Sequence, residues 1–359
     1  MKTPLSDRPL DLTLHIGMGK AGSSSIQSLL SENRHRLADL GYLYPQSPGT
    51  PRHSRLGLYV KSNEELKRSP VWHKRGRPDP ARLRRAFRRR LLAEIEGSGL
   101  SRVILSDEVL FPRDRSGLLR LRRFTDKMTE RLRVVVYLRR QDEHLVSRYQ
   151  QGMKVGRVER LREFAEDDWS ALYHYYARLR VWSRLMEPTE LVVRRFEPHG
   201  FVGGSLHRDF LDAANIDVRV EDLEQVHRRN ESLDAESVEF LRLVNLYRAE
   251  NEGATPGLMH NWKLFRQLAE ASTGPVLTMS DAFLDKFMTQ WEEANRRVAI
   301  DFLGDSSGQL FRTPRKTLNT TTEQLLDPAR LDHFLTLTEL PERIHVPLRR
   351  LAEREARIR

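Results

Sequence analysis

Four short apolar runs, each separated from the next by helix-length sequence, constrain this chain more than any other feature. Residues 11–16 (Asp-Leu-Thr-Leu-His-Ile), 102–106 (Arg-Val-Ile-Leu-Ser), 132–138 (Leu-Arg-Val-Val-Val-Tyr-Leu) and 191–194 (Leu-Val-Val-Arg) read as strands. The third is apolar enough to be buried on both faces, as parallel strands are. Helical patterns lie between them, near 81–96, 116–130, 141–155 and 170–186, and Tyr42 to Pro45 is a brief extended piece. Alternation of this kind predicts an α/β fold, a central parallel β-sheet flanked by helices. Past residue 200 the pattern turns helical, at 203–213, 233–250, 258–271 and 280–302. A loop follows at 303–325, and the tail 349–359 is a charged helix. The expected organisation is a single domain over 1–359, with an α/β core at 11–200 and a mostly helical extension at 201–359.

Composition removes several classes. The chain has no cysteine, which excludes disulfide scaffolds, thiolate metal sites and cysteine nucleophiles. No stretch approaches the ~20 apolar residues that cross a bilayer, and the N-terminus shows no signal-peptide core. The expectation is a protein without a transmembrane segment, in the cytoplasm. Lys+Arg is 61 against 50 Asp+Glu, a net charge of +11, and arginine supplies most of the excess. Arginine forks match phosphate and sulfate oxygens, but genomic base composition produces the same excess, so charge alone names no nucleic-acid partner.

The first strand runs into Gly17-Met-Gly-Lys-Ala-Gly22, and Ser23, Ser24 and Ser25 open an apolar-periodic helix carrying Ile26, Leu29 and Leu30. Strand, glycine turn and helix start form an anion cradle, because the first N–H groups of a helix lack internal partners and the dipole adds to the attraction. Gly17, Gly19 and Gly22 allow close backbone approach, Lys20 brings a mobile charge, and the serines bring hydroxyl donors. Gly17 and Gly22 have the spacing of the nucleotide-triphosphatase loop, G-x-x-x-x-G-K-[ST]. Ser23 stands in place of its lysine, however, and Asp107 is only a weak candidate for the magnesium carboxylate. A second anion element follows the 132–138 strand, with Arg139 at the strand end and Ser147 eight residues on.

Together the two elements resemble the sulfotransferase superfamily. His15-Ile-Gly-Met-Gly-Lys-Ala-Gly-Ser-Ser-Ser-Ile-Gln27 is similar to its 5′-phosphosulfate loop, usually close to K-x-G-[ST]-[ST]-[ST]. Val134-Val-Val-Tyr-Leu-Arg-Arg-Gln-Asp-Glu-His-Leu-Val-Ser147 is similar to its 3′-phosphate element. Tyr176 to Trp182, Leu191 to Glu197 and Asn230 to Arg242 resemble bacterial members. Ala21 stands where threonine is common, Arg140-Gln141 where Asp-Pro is common, and His144 where a second arginine is frequent.

The resemblance implies a P-loop NTPase-like sulfotransferase fold that binds 3′-phosphoadenosine 5′-phosphosulfate as co-substrate, without a metal. It implies transfer of the sulfuryl group to a hydroxyl or amine of a carbohydrate-like or small-molecule acceptor, with no specific nucleic acid as partner. Gly19, Lys20, Ala21, Gly22, Ser23, Ser24 and Ser25 would hold the 5′ end, and Arg139 and Ser147 the 3′-phosphate. Lys20 would stabilise the leaving phosphate. The base that takes the acceptor's proton is His53, slightly preferred, or Glu108. The rival readings are a P-loop kinase or triphosphatase and a non-catalytic Arg-rich binder of anions or nucleic acid. Four other features read as structural: His15 as core, Tyr173, Tyr175, Tyr176 and Trp182 as core, Arg312, Arg315 and Lys316 as a solvated basic loop, and Arg84, Arg85, Arg88 and Arg89 as a solvated helix face opposite the Leu83, Phe87, Leu91 and Ile95 stripe. An acceptor-facing basic wall is the alternative for that face.

Overall fold

A computed structural model describes residues 10–69, 72–73, 76, 78–225 and 232–357. Asn230 and Glu231, at the head of one segment used in the resemblance, lie outside them. The chain packs as two compact units. The first comprises Met1–Arg140, Trp169–Arg228 and Trp291–Thr313, and the second Gln141–Asp168, Arg229–Gln290 and Pro314–Arg359. The division does not follow the expected 200/201 boundary, because Gln141–Asp168 packs with the helical segments and Trp291–Thr313 with the sheet.

The first unit is built on five strands: β1 (Leu10–His15), β2 (Tyr42–Leu43), β3 (Arg102–Ser106), β4 (Thr129–Leu138) and β5 (Glu190–Arg195). All pairings are parallel, in the order β2-β3-β1-β4-β5. Central position explains the apolar run in β4, where Val134 to Leu138 are buried between two neighbours and two helical layers. The extended piece after Gly41 is β2, held by pairing Tyr42 with Arg102 and Leu43 with Val103.

Crossover handedness distributes the helices. The connection from β1 to β2 runs one way across the sheet, and those from β2 to β3, β3 to β4 and β4 to β5 run the other way. Right-handed crossovers therefore put α1 (Ser23–Glu32) on one face. They put α2 (Ser54–Val60), α3 (Pro80–Ser98), α4 (Arg115–Thr125) and α5 (Tyr175–Met186) on the opposite face. The contacts agree: α2 packs on α3 and α4, α4 on α5, and α1 on α6 (Leu206–Ala213). Trp182 anchors α5, fully buried with its indole N–H donating 3.1 Å to the Phe111 carbonyl. Tyr173, Tyr175 and Tyr176 are buried with it.

Two expected helices are broken. His174 interrupts 170–186, and its Nδ1 accepts from the Ala177 N–H at 3.2 Å, capping α5. The 280–302 pattern splits into Asp281–Thr289 and α7 (Glu292–Leu303) around buried Trp291, and the two pieces belong to different units.

The second unit is helical, with Gln141–Met153, Ala235–Asn251, Trp262–Ala271, Asp281–Thr289, Leu331–Thr338 and His345–Arg357 as its longer elements. Arg315 is not in a solvated loop. It is buried and donates to Asp142 at 3.2 Å, Asp281 at 2.8 Å and Asp285 at 2.6 Å. Stripping a guanidinium of water is tolerated because carboxylates surround it. In the first unit Arg312 pairs with Asp305 at 2.6 Å. No helix among the described residues is long and apolar enough to cross a membrane.

Candidate anion-binding site at the switch point of the sheet

In open parallel sheets, the crevice for ligands opens at the carboxyl ends of the strands, where successive connections leave in opposite directions. Here that point falls between β1 and β4. The chain leaves β1 toward β2 and leaves β4 toward β5, so the Gly17–Gly22 loop and Arg139 emerge side by side.

The loop is shaped by two left-handed residues, Lys20 at φ 65° and Gly22 at φ 77°. A lysine there is strained, which is common where a loop is committed to a ligand. Gly22 also lacks room: an added Cβ would lie 2.4 Å from Leu206 Cδ2 and 2.8 Å from Phe196 Cε2. A Cβ at Gly17 would meet Ser23 Oγ at 2.5 Å and His15 Nε2 at 2.8 Å. The glycines thus let the loop lie flat on packed side chains.

No side chain among the described residues caps α1. The N–H groups of Gly22, Ser23 and Ser24 find no protein acceptor among the described residues. They form an unfilled donor set at the positive end of a helix dipole. Exposed Lys20 lies on the same loop two residues before Gly22, and Ala21 between them is buried. Arg139 reaches the same loop, its guanidinium donating 2.8 Å to the Lys20 carbonyl and lying 5.9 Å from the Phe196 ring centre.

The three serines diverge. Ser23 is buried, its hydroxyl donating 2.8 Å to the Met18 carbonyl inside the loop. Ser24 is exposed. Ser25 Oγ lies 2.8 Å from His207 Nε2 on α6. Gly19 sits partly open beside Glu108, whose Cγ would lie 3.8 Å from a Cβ at Gly19. Ser147 is carried by the helix Gln141–Met153 of the second unit and is half-buried there.

The two candidate bases part company. His53 is 0% exposed. Its Nε2 donates 2.9 Å to the Pro45 carbonyl, its Nδ1 accepts from the Ser106 N–H at 3.1 Å, and its ring stacks on Tyr44. Both nitrogens are consumed by main chain, and burial lowers its pKa to about 3. The expectation of His53 as base is therefore corrected: it pins the 45–53 loop to the end of β3.

Glu108 differs, with its side chain 18% exposed beside the loop. Arg52 donates to one oxygen at 2.7 Å and Gln27 to the other at 2.8 Å. A carboxylate accepting two such bonds keeps lone pairs for a third donor. Asp107 is buried and accepts from the Gly57 and Val109 N–H groups, with Arg52 Nε at 3.4 Å, so its oxygens serve the fold. Burial raises its pKa to about 7.

Beneath the loop His15 is fully buried, with Nδ1 2.8 Å from Ser106 Oγ and no hydrogen-bond partner at Nε2 among the described residues. Ser106 Oγ also accepts from Gln27 Nε2 at 3.2 Å. Sequence reasoning missed Gln27, Arg52 and His207. Gln27 lay inside the quoted loop motif and Arg52 beside His53, but nothing in their spacing marks them. A separate groove of about 720 Å³ opens at the other ends of the strands, lined by Asp11, Thr13, Tyr42, Arg102, Arg131 and Arg133 among others.

No family model matches this chain, and no solved structure matches it. The chain is similar to an uncharacterized protein of Archaeoglobus fulgidus, with 27% identity over 208 residues, covering 56% of this chain and 54% of that protein. It spans about half the length of the relative it matches.

Gly22→Ala should destabilise the protein by about 1–3 kcal/mol, through a strained φ and the Leu206 and Phe196 contacts. An unchanged melting temperature would refute that packing. His53 predicts an acid response. Its folded pKa lies below the unfolded value of 6.5, so its contribution is intact above about 6.5 and is lost as pH falls toward 3. Denaturant titrations at pH 7 and pH 5 should therefore show His53→Gln losing about 2 kcal/mol less on acidification than the wild type. Equal losses would contradict it.

Proposed function

We propose that this chain is a sulfotransferase of P-loop-like fold. It moves a sulfuryl group from 3′-phosphoadenosine 5′-phosphosulfate to an acceptor hydroxyl, and acts in the cytoplasm. The observation that carries this reading is the meeting of the unfilled α1 N-terminus, Lys20 and Arg139 at one loop, with the Glu108 carboxylate on its edge. A donor with anionic groups at both ends needs more than one cationic feature, and the end of β4 supplies the second.

In this mechanism the N–H groups of Gly22, Ser23 and Ser24 take up the 5′-phosphate, and Arg139 faces the 3′-phosphate. Glu108 accepts the acceptor's proton while its oxygen attacks sulfur in line. The S–O bond to the acceptor forms as the bond to the bridging phosphate oxygen breaks, and adenosine 3′,5′-bisphosphate departs. Lys20 and the loop dipoles stabilise the charge that develops on that leaving oxygen. Arg52 and Gln27 hold the carboxylate in position and leave its remaining lone pairs to the substrate.

A triphosphatase reading is less well supported. The position of its loop lysine is taken by Ser23, whose hydroxyl is turned inward to Met18, and Asp107 is engaged by main-chain donors.

Adenosine 3′,5′-bisphosphate at about 100 times its dissociation constant should stabilise the protein by about 2.7 kcal/mol in a thermal melt. ATP with magnesium should shift it far less, and the opposite ranking would overturn the donor assignment. Glu108→Gln should lower turnover by about 10²–10⁴-fold, and Lys20→Ala by about 10²–10³-fold, with the fold intact. Turnover in His53→Gln should stay within a few-fold of wild type when assayed below its melting temperature. A catalytic loss in His53→Gln matching that of Glu108→Gln would restore the histidine as base.

A further inference from the structure

α6 lies against α1, and its first two residues meet the cradle in different ways. Leu206 closes on Gly22, where an added Cβ would lie 2.4 Å from its Cδ2. His207 carries its Nε2 to 2.8 Å from Ser25 Oγ. Both His207 and Ser25 are half-buried. Ser25 is the third residue of α1. Side chains on a helix lean toward its N-terminus. The Ser25 hydroxyl therefore leans to the side where the N–H groups of Gly22, Ser23 and Ser24 stand unfilled. The mechanism proposed above leaves His207 unused, although an imidazole changes charge near neutral pH.

The carboxylates around α6 are committed elsewhere. On α6 itself Asp209 accepts from the Tyr137 hydroxyl and the Val202 N–H, and Asp212 pairs with Arg194. The Val220–Asp222 turn packed on α6 brings Glu221, paired with Arg208, and Asp222, paired with Arg219. The Val202–Gly204 turn carries no charge. α1 has no acidic residue in its first turn, and Glu32 lies seven residues beyond Ser25, about 10 Å along the axis. His15, whose ring meets that of Phe210 on α6 at 5.3 Å, is kept neutral by burial, which lowers its pKa to about 4. The cations on this side are Lys20 and Arg139 of the cradle. Burial lowers the pKa of His207 below 6.5, and the contact with Ser25 opposes that shift.

One hydroxyl proton decides what Ser25 can offer. While Nε2 of His207 is bare, the hydroxyl donates to it and has no proton left for a ligand. Once the ring is protonated, both of its nitrogens are donors. Nε2–H then donates to Ser25 Oγ, and the hydroxyl proton is free to turn outward. The imidazolium charge also adds to the helix dipole beside it. Both changes favour an anion at the start of α1. An anion there favours the charged ring in turn, so each tightens the hold on the other.

We infer that His207 is a positioning residue of the α1 cradle: on taking up a proton it turns the Ser25 hydroxyl toward the bound anion, so that anion and proton bind together. The inference rests on the anion cradle of the proposed function. It concerns the sulfate- or phosphate-sized group at the helix start and holds whichever molecule carries that group.

The test uses the full chain and inorganic sulfate, which stays doubly charged throughout the range studied and so adds no titration of its own. Histidine ring signals are followed by NMR from pH 5.5 to pH 7.5, with and without saturating sulfate, at constant ionic strength. The His207 signal is the one missing from His207→Gln. Sulfate should raise its midpoint by about half a pH unit or more, which corresponds to sulfate binding about threefold tighter at the acid end. His207→Gln should lose that gain, and Ser25→Ala should reduce the shift in midpoint. An unmoved midpoint in sulfate-saturated wild type overturns the inference, as does a pH dependence of sulfate binding in His207→Gln equal to that of wild type. The wild-type titration decides even where a variant fails to fold. Absence of sulfate binding at either pH overturns the cradle and this inference with it. Proton-linked sulfate binding without any thermal shift from adenosine 3′,5′-bisphosphate overturns the donor reading and leaves the role of His207 standing.

Discussion

The pairing of β1 with β4 is the constraint on which the rest of the first unit depends. These strands are far apart in sequence, and their connections leave in opposite directions. Only because they are neighbours does Arg139 come within 2.8 Å of a carbonyl in the Gly17–Gly22 loop. A sheet in another order would leave the same residues with the same local conformations and no common surface. The main-chain hydrogen bonds of the ladder and the dry packing of Val134 to Leu138 therefore hold the electrostatics of the site as well as the fold.

The second determinant is the loop before α2. His53 buries a neutral imidazole between two main-chain groups and brings Arg52 to the end of β3. From there Arg52 divides its guanidinium between a carboxylate that serves the backbone, Asp107, and one that faces outward, Glu108. Adjacent acidic residues in one strand end thus receive opposite duties, set by burial and by which of them finds N–H donors.

Much of this was legible in the sequence, and the gaps have physical causes. The strands were readable because a buried parallel strand must be apolar on both sides, and the loop because a tight strand-to-helix turn needs glycine. The breaks at His174 and Trp291 were not, since each depends on a side chain finding a tertiary place inside an otherwise helical pattern. His53 misled because an imidazole beside polar loop residues reads the same whether it lies in solvent or beneath a ring. Gln27 and Arg52 were invisible for the same reason: each meets Glu108 across more than fifty residues of chain. Arg315, read as part of a basic loop, is enclosed by carboxylates that lie outside its local sequence.

Gln27 couples the two edges of the cradle mechanically. Its amide grips Glu108 and Ser106, and it belongs to the same rigid helix whose first turn holds the unfilled donors. Any small slide of α1 toward a docked anion would carry the amide with it and alter the grip on the carboxylate. By thermodynamic reciprocity, whatever an anion docked at α1 does to the hold of the Glu108 carboxylate on a hydrogen-bond donor, that donor does in equal measure to the hold on the anion.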